Sequence, residues 1–207
     1  MEIPVTVEDN HSQSYLTCPD SHHPHLIDLG LPSGTKWACC NVGANTPEDY
    51  GNYYAWGETE TKSKFIWSTY IHCDGSESTC HNLGSDIART DYDVAYVKWG
   101  GFWMMPSNTQ HRELLDNCIS TWTTQNGVDG RLFTGTNGGS IFLPATGLRL
   151  DTDLYDAGTY GCYWSSTQYK SDGYGIYYLD FSPGDVFTNS YGIGCSWGLS
   201  VRPVIGN

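Results

Sequence analysis

The chain has 207 residues, enough for one well-buried core, and its 24 Gly, 15 Tyr and 8 Trp indicate a globular domain with many turns and large aromatic side chains. Its 23 acidic residues outnumber its 10 basic residues and give a net charge of −13, which argues against nucleic acid or an anionic membrane surface as a partner. There is no apolar run of membrane-spanning length and no N-terminal region of signal-peptide type, so we expect no membrane insertion.

The N-terminal residues differ in character from the rest of the chain. Residues 1–24 are polar without sustained periodicity, so we interpret them as an arm or linker and place one domain at 25–207. Residues 25–34 alternate between apolar and polar before a Pro-Ser-Gly turn, which predicts a strand. A second strand is predicted at 37–42.

Two helices are predicted in the first half of the chain. Thr46 is a plausible N-cap, followed by Pro and then acidic residues, so a helix is expected to run through Trp56 and to end at Gly57. A second helix is expected after Ser107, which with Gln110 fits the capping box. The buried stripe of this second helix is predicted to contain Leu114, Leu115 and Cys118.

The second half of the chain reads as strands and loops. Asn126-Gly127 and Asp129-Gly130 predict turns, and the segment Asn137-Gly-Gly139 separates two apolar runs and predicts a hairpin between them. Further strands are predicted at 163–166, 176–181, 185–188 and 199–205. Two early helices followed by antiparallel strands with long C-terminal loops indicate an α+β domain.

The stretch between the last strands has an unusual composition. From residue 168 to 198, nineteen of 31 positions are Tyr, Gly, Ser, Asp or Asn. Tyr gives a large contact area at low entropic cost, and the small polar residues give adaptable hydrogen bonds. This mixture is typical of a surface that binds a ligand and is not required for catalysis.

Enzymatic signatures are missing from the sequence. There is no Gly-x-Ser-x-Gly elbow and no cysteine-nucleophile signature. His111 would lie in the first turn of the capped helix, where we expect an exposed position. We therefore predict no catalytic residue and a non-enzymatic protein.

Two segments resemble metal sites only weakly. Cys73 and Cys80, each beside a His, could be soft ligands, but their spacing is not usual for zinc, and they are interpreted as either packed or disulfide-bonded. Asp151, Asp153 and Asp156 lack the glycine and distal glutamate of an EF-hand, so a solvated acidic loop is favoured. No metal or cofactor is predicted, with calcium left open.

Seven motifs follow one another along residues 25–207. They are His25-Leu-Ile-Asp-Leu-Gly-Leu-Pro-Ser-Gly-Thr-Lys-Trp37, Cys40-Asn-Val-Gly43, Pro47-Glu-Asp-Tyr-Gly-Asn-Tyr-Tyr-Ala-Trp-Gly-Glu58, Trp99-Gly-Gly-Phe-Trp-Met-Met-Pro106, Ile141-Phe-Leu-Pro-Ala-Thr-Gly147, Tyr163-Trp-Ser-Ser-Thr167 and Ser200-Val-Arg-Pro-Val204. In this order they resemble the FISUMP-type major paralogous domain of Bacteroidetes and their phages. The resemblance implies a C-type lectin-like fold of the formylglycine-generating-enzyme-like subtype.

Members of this group include the variable proteins of diversity-generating retroelements, whose codons are rewritten at adenines near the C-terminus. The resemblance implies that residues 168–197 are such a variable region. Mutated Asn codons yield Tyr, Ser, Asp and Gly without stop codons, which fits the composition. Gln168, Lys170 and Trp197 do not fit an Asn codon and need another origin.

The chain departs from the family at specific positions. Met104 replaces the basic residue of the usual Trp-Arg-Met-Pro motif. The Glu-Pro-Asn, Gln-Pro-Asp and Trp-Asn-Asp motifs of calcium-dependent lectins are absent, and so is a match to the paired cysteines of formylglycine-generating enzymes. Neither carbohydrate binding nor catalysis can therefore be transferred from the fold.

The predicted function is a recognition domain with a diversified binding face, of adhesin or phage receptor-binding type, located extracellularly on a cell surface or virion. Its expected partner is a cell-surface protein or glycan. The predicted contact residues are Tyr169, Asp172, Tyr174, Tyr178, Asp180, Asp185, Asn189, Ser190, Tyr191 and Trp197. Strand alternation predicts Leu179 and Phe181 on the core face and Tyr178 and Asp180 pointing outward. The alternative is an undiversified structural domain of a secreted or surface lipoprotein.

Overall fold

The computed structural model describes residues 25–169, 175–190 and 193–206, so the predicted arm at 1–24 lies outside the described residues. Two α-helices and eleven strands are assigned within these ranges. The helices are α1 (Val94–Trp99) and α2 (Asn108–Asn117). The strands are β1 (Leu26–Asp28), β2 (Lys36–Ala38), β3 (Cys118–Gln125), β4 (Val128–Gly135), β5 (Ser140–Pro144), β6 (Leu148–Leu150), β7 (Asp153–Tyr155), β8 (Gly161–Gln168), β9 (Ile176–Phe181), β10 (Val186–Ser190) and β11 (Val204–Ile205).

The strands form small antiparallel sheets. Their orders are β1-β2-β11, β10-β9-β8, β3-β4-β5 and β6-β7. The domain is therefore of the predicted α+β class, with mostly antiparallel sheets and two short helices among the described residues. Strand β9 matches the predicted range 176–181, while β1, β2 and β11 are shorter than predicted.

The turn signals at Asn126-Gly127 and at residues 137–139 mark hairpins, whereas the turn predicted at Asp129-Gly130 is wrong, because both residues lie in β4 and pair with β3. The β3–β4 turn is Asn126-Gly127, and both residues have the positive φ that a two-residue turn requires, 49° and 84°. The predicted hairpin around residues 137–139 joins β4 and β5, in which Phe133 pairs with Ile141.

The first predicted helix is wrong. Gly51 has a positive φ of 70°, which interrupts a helix, and four consecutive residues from Tyr53 to Trp56 are buried, more than the single stripe a helix buries. The main chain of Tyr54 instead forms an isolated bridge with Leu199. The first helix is α1, which begins after Asp93, whose carboxylate accepts hydrogen bonds from two amides of the first turn.

The second predicted helix is confirmed, but its environment differs from the prediction. Ser107 caps α2 in the expected capping box with Gln110. His111 is fully buried and stacks on Trp37 at 5.9 Å, so the expectation of an exposed His111 is wrong. The reason is that α2 packs against β8, β9 and β10, which encloses its first turn. Leu114 is fully buried, whereas Leu115 and Cys118 are only partly so.

Two clusters of buried side chains lie on opposite faces of the β8–β9 pair. One contains Trp164 and Ile176 together with residues from the irregular segment 42–87, and we name it the loop-side core. The other contains Tyr163, Leu179 and Phe181 together with side chains from β2, β4 and β5, and we name it the strand-side core. The two clusters explain why alternate residues of β9 are buried on both faces.

The motif residues that carry the family resemblance form the interior of the domain. Trp37, Trp56, Trp103, Trp164 and Arg202 are among the largest fully buried side chains. The departure at Met104 is also internal, because Met104 is 6% exposed and belongs to the strand-side core. The motifs therefore specify packing.

Candidate functional site

The sheet β10-β9-β8 carries most of the described positions of the predicted binding face. Gln168 pairs with Ile176 at one end of the sheet, and Gly161 pairs with Phe181 at the other. We name these the 168 end and the 161 end. Strand β10 lies along the free side of β9, with Val186 opposite Phe181 and Ser190 opposite Tyr178.

Two predicted contact residues lie at or near the 168 end. The amide of Tyr169 donates to the carbonyl of Gly175 at 2.6 Å, and its ring meets Tyr177 edge-on at 5.2 Å. Tyr178 is half-buried on the loop-side face, with its ring edge-on to Trp164 at 6.5 Å. The predicted burial of Leu179 and Phe181 is confirmed, since both are fully buried in the strand-side core.

The prediction that Asp180 points outward into solvent is wrong. Its side chain is 5% exposed, and one of its carboxylate oxygens accepts a hydrogen bond from the hydroxyl of Tyr160. Burial, together with this hydrogen bond and the carboxylate charge, raises the pKa of Tyr160. The alternation rule failed because the loop-side face of β9 is also covered by protein.

Asp185 is exposed in the turn between β9 and β10, at the 161 end. Five residues of extended strand separate the two ends of β9, which is about 17 Å. The turn is held by Arg131, whose guanidinium donates to the carbonyl of Ser182 at 2.9 Å. Asp185 therefore does not share a patch with Tyr169.

Trp197 is half-buried and packs against the loop-side core. Its amide donates to the carbonyl of Gly194 at 2.9 Å in a tight turn. A side chain at position 194 would lie 2.9 Å from the ring of Trp67, so glycine is needed there. Trp67, which the sequence reasoning missed, therefore lies beside this turn.

The remaining predicted contact residues are described in part or not at all. Asn189 and Ser190 belong to β10. Asp172, Tyr174 and Tyr191 lie outside the described residues.

Phe187 is a second aromatic residue that the sequence reasoning missed. It is 54% exposed and pairs with Asp180 across β9 and β10, so it projects from the loop-side face of the sheet. Its neighbour Val186 packs against the strand-side core, as alternation requires. The sequence contained a signal for this position, because Val186 and Phe187 are adjacent in a predicted strand and must face opposite sides of the sheet.

Buried positions divide the predicted variable region 168–197. Among its described residues the buried side chains are Gln168, Ile176, Leu179, Asp180, Phe181, Ile193, Cys195 and Ser196. Gln168, which does not fit an Asn codon, is thus an internal residue. A variable surface in this stretch would be limited to positions between these buried ones.

The two segments that resemble metal sites, at Cys73 and Cys80 and at residues 151–156, make other contacts instead. Cys73 and Cys80 form a disulfide, so the bridged alternative is the one observed, and the imidazole of His72 bonds to the carbonyl of Gly57 at 2.9 Å. Asp151 lies 3.5 Å from the ammonium of Lys64. No group of three or more His, Cys, Asp or Glu side chains converges on a metal position within the described ranges.

A polar cavity of about 400 Å³ lies beside α1, away from the predicted face. It is lined in part by Asn52, Tyr54 and Trp99, and its Lys98 ammonium is paired with Glu60 at 2.6 Å. Burial raises the pKa of Tyr54, so this phenol stays protonated at neutral pH.

Comparisons of the chain with protein-family models, with curated proteins and with solved structures gave no match. No helix in the described part of the chain combines the length and apolarity needed to cross a membrane.

Proposed function

We propose that the chain is a non-enzymatic recognition domain with a C-type lectin-like fold, displaying a binding surface built on β8–β10 and the 193–198 turn. The observation that carries this proposal is the combination of half-exposed aromatic side chains with fully buried supports. Tyr178 lies against buried Trp164, and Trp197 follows buried Cys195. Rigid aromatic side chains with one accessible edge provide contact area at low entropic cost.

The geometry narrows the contact set. Tyr169, Tyr178 and Trp197 remain as aromatic candidates, and Trp67 and Phe187 join them. Asn189 and Ser190 of β10 remain as polar candidates. Asp180 serves the interior through Tyr160, and Asp185 lies at the far end of the sheet. The ligand is a surface protein or glycan, engaged as by an adhesin or a phage receptor-binding module.

The Cys73–Cys80 disulfide supports an extracellular or virion location, because disulfides persist in oxidising environments. The composition of residues 168–198 supports diversification by a retroelement. Sequencing the locus tests this part: a reverse transcriptase gene beside a near-copy template differing at adenines is expected. Without them, the chain is an undiversified structural domain of a secreted or surface lipoprotein.

A binding screen against glycans and cell-surface proteins tests the surface itself. We expect any ligand found to bind Tyr178→Ala and Trp197→Ala at least about tenfold more weakly, because each removes a central aromatic contact. Tyr96→Ala is the matched control, since Tyr96 is 36% exposed on α1, which is not part of the proposed surface. If both variants bind like the unmodified chain while retaining its circular dichroism spectrum, the proposed surface is wrong.

A further inference from the structure

Strand β3 is an open edge of the β3-β4-β5 sheet. It is eight residues long, Cys-Ile-Ser-Thr-Trp-Thr-Thr-Gln, with neither a charged residue nor a proline. Natural proteins usually protect such edges with lysine, proline or a bulge. The pairing of β3 with β4 continues through every residue of β3 without a bulge. Among its eight residues this edge therefore has neither lysine nor proline nor a bulge.

The hydrogen-bond pattern shows which main-chain groups face the open side. The amide of Gly135 donates to Gly139 at 2.9 Å, and that of Ala145 donates to the carbonyl of Asp129 at 2.8 Å, so odd-numbered residues of β4 bond towards β5. Even-numbered residues of β4 therefore bond to β3. Through the β3–β4 register, the outward-facing residues of β3 are Ser120, Trp122 and Thr124.

The outward main-chain groups of these three residues make no hydrogen bond anywhere in the described ranges of the chain. Beside them, Ile119 is 74% exposed, the highest exposure of any large apolar side chain described. Unsatisfied strand groups next to an exposed apolar side chain are the features of a pairing surface.

We propose that β3 pairs antiparallel with β3 of a second copy of this chain, about a two-fold axis at Trp122, to make one continuous six-stranded sheet. In this register Ser120 lies opposite Thr124 of the partner subunit, and Trp122 lies opposite its own copy. Three residue pairs then exchange two main-chain hydrogen bonds each. This register overlaps residues 119–125 fully, and Ile119 packs beside Gln125 of the partner subunit.

The edge is the place where a second copy meets the least electrostatic repulsion. Each chain carries a net charge of −13, so two copies repel each other over most of their surfaces. The eight positions of β3 are neutral, and the nearest charges on β4, Asp129 and Arg131, are of opposite sign. The edge is also self-complementary under a two-fold axis, as an isologous interface requires.

Sedimentation equilibrium over a concentration range up to about 100 μM tests the pairing. The decisive variant is Ser120→Pro, which removes an outward amide but none of the β3–β4 hydrogen bonds, since Ser120 belongs to the outward set. The matched control is Ser120→Ala, because it also removes the bond between the Ser120 hydroxyl and Arg131 while keeping the amide. Two bonds are lost per dimer, so Ser120→Pro is expected to weaken dimerisation at least about tenfold, and Ser120→Ala is not.

A second pair of variants keeps the test independent of any proline effect on folding. Ile119→Lys places a charge on the edge and is expected to give a monomer, whereas Ile71→Lys, at a position 71% exposed elsewhere, is expected to dimerise normally. Hydrogen exchange at the amides of Ser120, Trp122 and Thr124 should slow as protein concentration rises. The proposal is overturned by a monomer at every concentration, by equal dimerisation of Ser120→Pro and Ser120→Ala, or by amide protection that is independent of concentration. Because β3 is separate from the proposed binding surface, none of these outcomes bears on ligand recognition.

Discussion

The two cores on either side of β8 and β9 satisfy their polar groups differently. In the loop-side core the Trp56 indole donates to the carbonyl of Ser165 at 2.9 Å, and the Tyr70 hydroxyl donates to the carbonyl of Trp56 at 2.8 Å. In the strand-side core neither the Trp37 indole N–H nor either ring nitrogen of buried His111 has a partner among the described residues. Each side has an exception: the Tyr163 hydroxyl in the strand-side core donates to the carbonyl of Pro144, and the indole N–H of Trp103, whose ring contacts Trp99 of the loop-side core, has no partner among the described residues.

The difference follows from the kind of main-chain structure that surrounds each core. Residues 42–87 contain little regular secondary structure, so buried carbonyls such as that of Trp56 have few strand partners. The pairing of β8 with β9 is irregular between Trp164 and Gln168, which leaves the carbonyl of Ser165 in the same position. Aromatic side chains supply the donors to both. The strand-side core is surrounded by β2, β4, β5 and β9, whose main-chain groups are already paired within their own sheets. In the strand-side core, aromatic side chains such as Trp37 and His111 fill space, and their polar atoms have no main-chain partner among the described residues.

The largest expected effect comes from Arg202, which connects the main-chain segments around the two cores. Arg202 is fully buried, and its guanidinium donates to the carbonyl of Pro47, in the segment beside the loop-side core, at 3.5 Å and to the carbonyl of Phe142, on β5, at 3.0 Å. It also donates to the side chain of Asn41 at 2.8 Å and to the carbonyl of Cys39 at 2.7 Å. Arg202→Met leaves these buried acceptors without their donor. We expect it to lower the free energy of unfolding by more than about 4 kcal/mol in urea denaturation.

Arg112→Met is the matched control for this prediction, because Arg112 is exposed on α2. It is expected to change stability by less than about 0.5 kcal/mol. If Arg202→Met lowers the free energy of unfolding by less than about 1 kcal/mol, the carbonyl groups around Arg202 bond to water or to other donors. The segments around the two cores would then be independent of each other.

The next effect concerns the strand-side core and pH. Burial lowers the pKa of His111 from 6.5 to about 3. The folded state therefore binds this proton less readily than the unfolded state, so the contribution to stability is complete above pH 6.5 and is lost as pH falls towards 3. Between pH 7.5 and pH 5 the expected loss is about 2 kcal/mol.

The measurement is urea unfolding at several pH values for the unmodified chain and for His111→Phe, which keeps an aromatic ring against Trp37. The carboxylates titrate in both proteins, so the difference between the two curves isolates His111. His81→Phe, at an exposed position, should retain the original pH dependence. Parallel curves for the unmodified chain and His111→Phe would mean that His111 has a polar partner.

Local signals in the sequence predicted the parts of the fold that local interactions determine. The capping box at Ser107 and Gln110 marks the start of α2, and Asn126-Gly127 forces a turn. Residues 53–56 were misread because their structure is set by distant partners. The amide of Tyr54, for example, donates to Leu199 at 3.0 Å. Such pairing across the chain leaves no periodic pattern in the segment itself.

The candidate site was predictable to a similar degree. Alternation identified the buried positions Leu179 and Phe181 in β9, because one face of a strand next to a core reads as apolar. It could not reveal that Tyr160 covers Asp180, since that contact joins separate segments. Tyr178 and Trp197 remain predictions as ligand contacts. Only a binding measurement addresses them.

The smallest expected effect compares one indole from each core directly. Trp56 and Trp37 are both at most 1% exposed, so replacing either with Phe removes a similar volume from a packed interior. Trp56→Phe also leaves the carbonyl of Ser165 without its donor, whereas Trp37→Phe removes an N–H that has no partner in the described chain. Trp56→Phe is expected to be the more destabilising by about 1 kcal/mol in urea unfolding. Equal losses would mean that the two indoles contribute only through packing, and the contrast between the two cores would then carry no difference in stability.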